Sequence, residues 1–388
     1  MFRLPFLALA AVCLSGQSGP IDVKLIMPDE AGQTGLVLPA DAQAAYQRAQ
    51  DIRETAFARG FKGEIAIDAG NMRFSSQVSP DMLREGYGQI TSEVPQWPFA
   101  SLTKQMLAAR LLPELKNMGF TLDTPVSRIL PRWPKGPAAP TIRQLLQHRS
   151  GLRNPEDAPA GTNGWPAFYN EPAKHGLGWC MNGRAASPAS GWRYNNCDYI
   201  VLGAVLEEVS LETVDHMLGA SRDREQDERQ NAPGVAISRL RMISRDNAGL
   251  FYAMKSPERE VIPAYGASGA LGGTLMDVLF FNWGQMRAYK DGVPSLKPMW
   301  ESDPDLGYMA LGQWVFEVQP PGCAAPVKVA ERKGEIGQYR LSNIMLPDLG
   351  RAMVFATTDP AFEFGEIWQG EGFMAEAVGM LACGEEKS

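Results

Sequence analysis

Residues 98–111, Pro98-Phe99-Ala100-Ser101-Leu102-Thr103-Lys104-Gln105-Met106-Leu107-Ala108-Ala109-Arg110-Leu111, constrain this chain more than any other stretch. Proline opens the segment. Apolar residues at Leu102, Met106, Ala109 and Leu111 then mark one face of a helix that needs a core beneath it. Ser101 falls in the first turn, where unbonded backbone N–H groups and the helix dipole favour developing negative charge. Lys104 lies three residues on, so its amine rises beside the Ser101 hydroxyl on one helix face. A serine is a weak nucleophile until a neighbouring base takes its proton. A lysine is such a base only where burial or nearby cations lower its pKa. Ser-x-x-Lys alone is a weak signal, since a chain of this length holds on the order of one match by chance.

The 388 residues, 45% hydrophobic and 21% charged, suffice for one large domain or two lobes. A net charge of −7 carries no basic nucleic-acid footprint. Met1-Phe2-Arg3 supplies a positive charge ahead of the apolar run Leu4 to Leu14, which is too short to span a bilayer. Small residues follow at Ser15 to Gly19, so residues 1–19 read as a signal peptide and the protein as exported, periplasmic or secreted. Cys13 offers a lipid-anchor site, although Val12 is bulkier than the residue such sites usually have. Beyond the leader stand Cys180, Cys197, Cys323 and Cys383. An even count permits disulfides of undetermined connectivity, with Cys180 and Cys197 the first pair to test. The cysteines lack C-x-x-C spacing and the chain has only three histidines, which argues against a metal site.

Along the chain, Asp41 to Arg59 reads as a helix, Phe61 to Ile67 as a strand, and Met72-Arg73-Phe74 as the start of a return strand. Leu122 to Leu130 and Thr141 to His148 read as short helices around a proline-rich connection. The phrase Leu145-Leu146-Gln147-His148-Arg149-Ser150-Gly151-Leu152 ends in a glycine stop, with His148 bonding the helix end and the following loop. Ala158 to Ser190 reads as a long surface loop of the kind that borders a cleft. Tyr194 and Asn196 stand before a helix at Ile200 to Val209, and Ser221 to Asn231 reads as a solvated, charge-dense segment. Met276 to Met286 is helical. Val327 to Ala330 and Tyr339 to Leu346 are strands around Arg332-Lys333-Gly334-Glu335-Ile336-Gly337, Ala352 to Thr357 is a further strand, and Glu371 to Leu381 is a closing helix.

Ser101-x-x-Lys104 and Tyr194-x-Asn196 each occur once, in this order, each at the mouth of an expected helix. With the phrase around His148 and Gly269-Ala270-Leu271-Gly272-Gly273-Thr274, the arrangement resembles the serine β-lactamase and penicillin-binding protein superfamily. The nearest likeness is the class C β-lactamase branch, with its D-alanyl-D-alanine carboxypeptidases and esterases, over roughly residues 41–382. The resemblance implies that Ser101 is the acylated nucleophile, Lys104 its base, and Tyr194 the residue that passes the proton to the leaving group and later activates water. It also implies that Asn196 binds substrate and holds the lysine, and that the backbone N–H groups of Ser101 and Glu335 form the oxyanion site. The family's Lys-Thr-Gly or His-x-Gly falls on Arg332-Lys333-Gly334, so an arginine stands where lysine or histidine is usual.

The expected fold is α/β in the α+β sense: an antiparallel sheet flanked by helices, residues 41–115 and 260–388, with an inserted mainly helical lobe, residues 116–259. The expected function is serine hydrolysis through an acyl-enzyme on an ester, amide or β-lactam. It needs no cofactor or metal, acts on a small-molecule or peptidoglycan-derived substrate, and involves no nucleic acid. The oligomeric state stays open. The alternative is a catalytically inactive envelope protein that keeps the cleft to hold a ligand. On the export reading, N-terminal sequencing of protein recovered outside the cytoplasm finds a first residue between Leu14 and Ala40. An intact Met1 on exported protein contradicts cleavage.

Overall fold

The computed structural model describes residues 11–12, 24–25, 40–70, 74–84, 95–135, 138–170, 176–183, 186–188, 191–219 and 240–384. The expected signal segment lies outside these except for Ala11–Val12, and Ser221–Asn231 lies wholly outside.

Six strands form one antiparallel sheet: β1 Gly63–Asp68, β2 Phe74–Val78, β6 Trp314–Val318, β7 Val327–Ile336, β8 Tyr339–Leu346 and β9 Arg351–Thr357, in the order β2-β1-β9-β8-β7-β6. Three short strands, β3 Trp97–Pro98, β4 Arg241–Met242 and β5 Leu271–Gly273, make a separate sheet centred on β5. All six residues of β1 are buried, because both faces of the large sheet are covered. One face packs Ile65, Ile67, Ile344, Met353 and Phe355 against α1 Ala40–Ala58 and α5 Gly372–Cys383. The other packs Ala66, Ala330, Leu341, Met345 and Val354 in a core shared with α2 Leu102–Asn117 and α4 Leu275–Lys290. Among the described residues of 116–219 the regular elements are short helices and α3 Asn196–Ser210, which packs against α2.

Between these layers runs a buried polar string. Gln105 on α2 donates to Gln313 at 2.6 Å, and Asn343 on β8 donates to Gln105 at 2.9 Å and to Asn282 on α4 at 2.9 Å. Each amide finds a partner, so the string fixes how α2 sits on the sheet without leaving an unsatisfied group.

Three segments differ from their sequence expectations. Arg332 to Ile336 lies inside the continuous strand β7, and Gly337, at φ 56°, makes the hairpin to β8. Strand β6 was not expected. Residues 158–190 hold short helices at Ala167–Asn170 and Gly176–Met181. Their order comes from tertiary contacts rather than periodicity. Phe168 and Tyr169 are fully buried, Tyr169 stacks on Tyr265 at 3.7 Å, and Cys180 is bonded to Cys197 on α3.

The second disulfide, Cys323–Cys383, ties the loop after β6 to the end of α5 across 60 residues. Closing a loop of that length in the unfolded chain corresponds to about 4 kcal/mol. The double variant Cys323→Ser/Cys383→Ser is therefore expected to lose several kcal/mol in urea unfolding. Parent-like stability under oxidising conditions would contradict the bridge.

Candidate active site

Strand β3 sets the geometry of the serine. Trp97 and Pro98 pair with Gly273 and Gly272, and the Phe99 N–H donates to Leu271 O at 2.8 Å. Ala100 then adopts φ 47°, a left-handed conformation that costs an L-residue about 1–2 kcal/mol. The chain turns sharply into α2 with Ser101 at its N-cap position, and the serine hydroxyl makes no capping bond. It faces Tyr194 and Lys104 instead. Strand β7 passes so close to this turn that a Cβ on Gly334 would lie 2.6 Å from Phe99 O and 2.9 Å from a Leu102 methyl. Only glycine permits the approach.

Lys104 is fully buried. Its Nζ donates to Ser101 Oγ at 3.1 Å, Asn196 Oδ1 at 2.7 Å and Ser268 O at 2.6 Å, which accounts for all three N–H bonds of an ammonium. Burial lowers its pKa to about 8, and the Arg332 cation adds to this while Tyr194 opposes it. Asn196 is held in turn. Its Nδ2 donates to Glu156 Oε1 at 2.9 Å and Tyr169 Oη at 2.8 Å, so its carbonyl oxygen is the end aimed at the lysine.

Tyr194 Oη lies 2.5 Å from Ser101 Oγ. Burial alone would raise its pKa, but Lys104 and Arg332 together outweigh burial and hold the phenol below its ordinary value. Arg332 is also fully buried. Its Nε donates to Ser101 O at 2.9 Å and its Nη2 to Tyr194 Oη at 2.9 Å, while its guanidinium lies over the rings of Trp314 at 5.0 Å and Tyr194 at 5.5 Å.

The structure therefore brings Ser101, Lys104, Tyr194, Asn196 and Arg332 together. Strand alternation sends Lys333 to the opposite face of β7, where its Nζ meets Glu366 at 2.8 Å and Glu331 at 3.8 Å. Glu335 borders the cleft beside Ser101, and its own side chain lies 3.6 Å from Arg340.

In sequence His148 reads as bonding a helix end and the following loop, whereas Asp198, Glu156 and Ser268 are not singled out. His148, at φ 57°, is buried with its ring 4.5 Å from that of Tyr194. Its Nδ1 lies 3.1 Å from Asp198 Oδ2 and 3.3 Å from the Asn195 N–H, and Ser150 Oγ donates to the other oxygen of Asp198. Beneath Tyr194, burial pushes the Asp198 carboxyl well above its ordinary value and the His148 imidazole well below its own. Asp198 stands in the first turn of α3, directly ahead of its apolar stretch 199–206, a signal that could have marked it. Glu156 and Ser268 carry no such signal.

Residues 92–221, from just before the nucleophile turn through Tyr194 and α3, match the Beta-lactamase family model. A search of curated proteins finds no match. Among solved structures, the chain is similar to a D-stereospecific amidohydrolase from Streptomyces sp., with TM-score 0.56 and 18% identity over 89% of this chain and 98% of that one. It is also similar to the D-amino acid amidase of Ochrobactrum anthropi SV3 complexed with L-phenylalanine amide, with TM-score 0.58 and 19% identity over 87% and 97%. A penicillin-binding protein from Bacillus halodurans gives TM-score 0.53 and 18% identity over 79% and 95%. The family match covers about a third of the chain, and the solved structures share its fold.

The Arg332 contacts generate a prediction. Removing its cation raises the pKa of Tyr194, which it lowers, and that of Lys104, which it also lowers. If activity requires the deprotonated form of either, Arg332→Ala shifts the acidic limb of the kcat/KM–pH profile upward, by roughly one unit, and lowers turnover at pH 7. An unshifted limb would separate Arg332 from the titrating groups.

Proposed function

We propose that the protein is a serine hydrolase that works through an acyl-enzyme on an ester or amide, a β-lactam being one form of the latter. The observation that carries this reading is the position of Ser101 Oγ, within hydrogen-bond reach of both Lys104 Nζ and Tyr194 Oη. With a pKa of about 8, Lys104 is neutral in roughly a tenth of molecules at pH 7, enough for a general base of matched strength.

In the proposed sequence, Lys104 takes the Ser101 proton as Oγ attacks the carbonyl carbon. The carbonyl oxygen becomes an oxyanion between the backbone N–H groups of Ser101 and Glu335, donors of a kind worth about 3–4 kcal/mol each. Tyr194 Oη, adjacent to Oγ, delivers a proton to the leaving alcohol or amine, and the C–O or C–N bond breaks. Tyr194 then takes a proton from water. The resulting hydroxide attacks the acyl carbon, and Ser101 leaves with the proton restored. Asn196 holds Lys104 in place and borders the substrate cleft.

Arg332 supplies fixed charge to Tyr194 rather than a proton, because a guanidinium does not deprotonate in this range. Its position is supported by the two hydrogen bonds to Ser101 O and Tyr194 Oη. The structural likeness to amidases supports the amide side of the substrate range. Export is part of the same proposal, supported by the leader composition and by two disulfides of the kind that persist in oxidising compartments.

Ser101→Ala tests the reading. It is expected to abolish labelling by a fluorophosphonate probe and to leave thermal stability nearly unchanged, since Ser101 is only partly buried and the exchange is small. Ester turnover by the variant at the parent rate would overturn the assignment.

A further inference from the structure

The cleft divides at Ser101 and Tyr194 into two arms. The smaller, about 320 Å³, is mixed in character, bordered by Glu156 and Asn196 as well as Trp165 and Tyr265. The larger, about 640 Å³, has walls of Tyr308, Trp314, Phe316 and Trp368. That volume lies within the roughly 300–1,000 Å³ of small-molecule sites, and the inner end of the arm is the nucleophile itself.

Two of these aromatic walls remain in water. Trp368 is 57% exposed and Tyr308 44% exposed. Tyr308 also sits at φ 65°, directly after Gly307 at φ 61°. Two successive left-handed residues are an unfavourable way to turn a chain when the second has a large side chain. The turn is pinned by Tyr308 N–H to Asp303 O at 2.9 Å and Val315 N–H to Tyr308 O at 3.0 Å, and Tyr308 lies 6.5 Å, ring to ring, from Phe316. On the inner side Trp314 is fixed by pairing with Glu331 and by the Arg332 guanidinium over its ring. Strained backbone and exposed aromatic surface beside a reactive group point to a binding role rather than to packing.

The charges around this arm are as specific as its walls. Glu331, Glu335 and Glu366 border it. Lys333 is paired with Glu366 and Glu331, and Arg332 is buried against Ser101 O and Tyr194. Three carboxyl side chains line the arm against two cations, although burial pushes Glu331 up to about 7 and Glu335 lies 3.6 Å from Arg340, so an entering carboxylate meets an excess of acidic groups.

We propose that the larger arm seats a bulky, uncharged apolar group on one side of the scissile bond, and that substrates carrying a carboxylate in that position are rejected. This rests on the serine-hydrolase reading and narrows its substrate to apolar esters and amides.

The experiment compares methyl acetate, methyl 3-phenylpropionate, phenethyl acetate, methyl hexanoate and monomethyl glutarate by pH-stat, with the parent, Ser101→Ala and the double variant Trp368→Ala/Tyr308→Gly. Both substituted side chains are exposed, and glycine suits the φ of position 308. At least one phenyl ester is expected to exceed methyl acetate tenfold or more in kcat/KM, and to lose that advantage in the double variant while methyl acetate changes by less than twofold. Monomethyl glutarate is expected to fall at least tenfold below methyl hexanoate. If no ester is cleaved in a Ser101-dependent way, the hydrolase reading fails. If cleavage depends on Ser101 but phenyl esters show no advantage, or keep it in the double variant, or the glutarate matches the hexanoate, this inference alone is overturned.

Discussion

The site depends on one buried amine. Lys104 is enclosed by protein and reaches three acceptors contributed by three different parts of the chain: the Ser101 hydroxyl, the Asn196 amide and the Ser268 carbonyl. Burial of an ammonium is unfavourable unless its donors are satisfied, and here all three are. The result is a lysine that stays ordered and is poised to lose a proton near neutral pH. The nucleophile helix, the start of α3 and the turn before β5 must all sit correctly for this to hold, so the geometry of the reaction site and the packing of the two parts of the fold are one problem.

The positive charge of Arg332 completes that environment from the sheet side. A residue on β7 reaches the serine only because Gly334 lets the strand run against the Phe99–Ala100 turn, and because alternation aims position 332 inward while Lys333 goes outward. The guanidinium is held between Trp314 and Tyr194, with two directed hydrogen bonds. Such a group fixes electrostatics without entering the proton traffic. Beneath Tyr194 the His148–Asp198 pair is buried, and burial disfavours the charged form of each group beside Lys104 and Arg332.

Much of the frame was legible because it is written in local pattern. Asp41 to Arg59 carries helix-forming composition ended by Gly60, and the helix spans Ala40–Ala58. Pro347 to Gly350 reads as a turn, and β8 and β9 flank it. Ser101 and Lys104 meet because three residues of helix bring side chains together. What escaped was set by tertiary contact. Strand β6 is five residues long and is defined by its pairing with β7. The segment 158–190 looks structureless until Phe168, Tyr169 and Cys180 find the core. The approach of Asn196, Tyr169 and Glu156 joins residues 27 and 40 positions apart, which no spacing rule encodes.

The central claim is that burial makes Lys104 a base near neutrality, and its titration tests this most directly. Protein carrying ¹³C-labelled lysine, assigned by comparison with a Lys104→Met variant, should show one Cε resonance titrating near pH 8, well below the ordinary lysine value of about 10.4. A Lys104 resonance that titrates at the ordinary lysine value would contradict the account, because the amine would then be solvated and too basic to take the Ser101 proton.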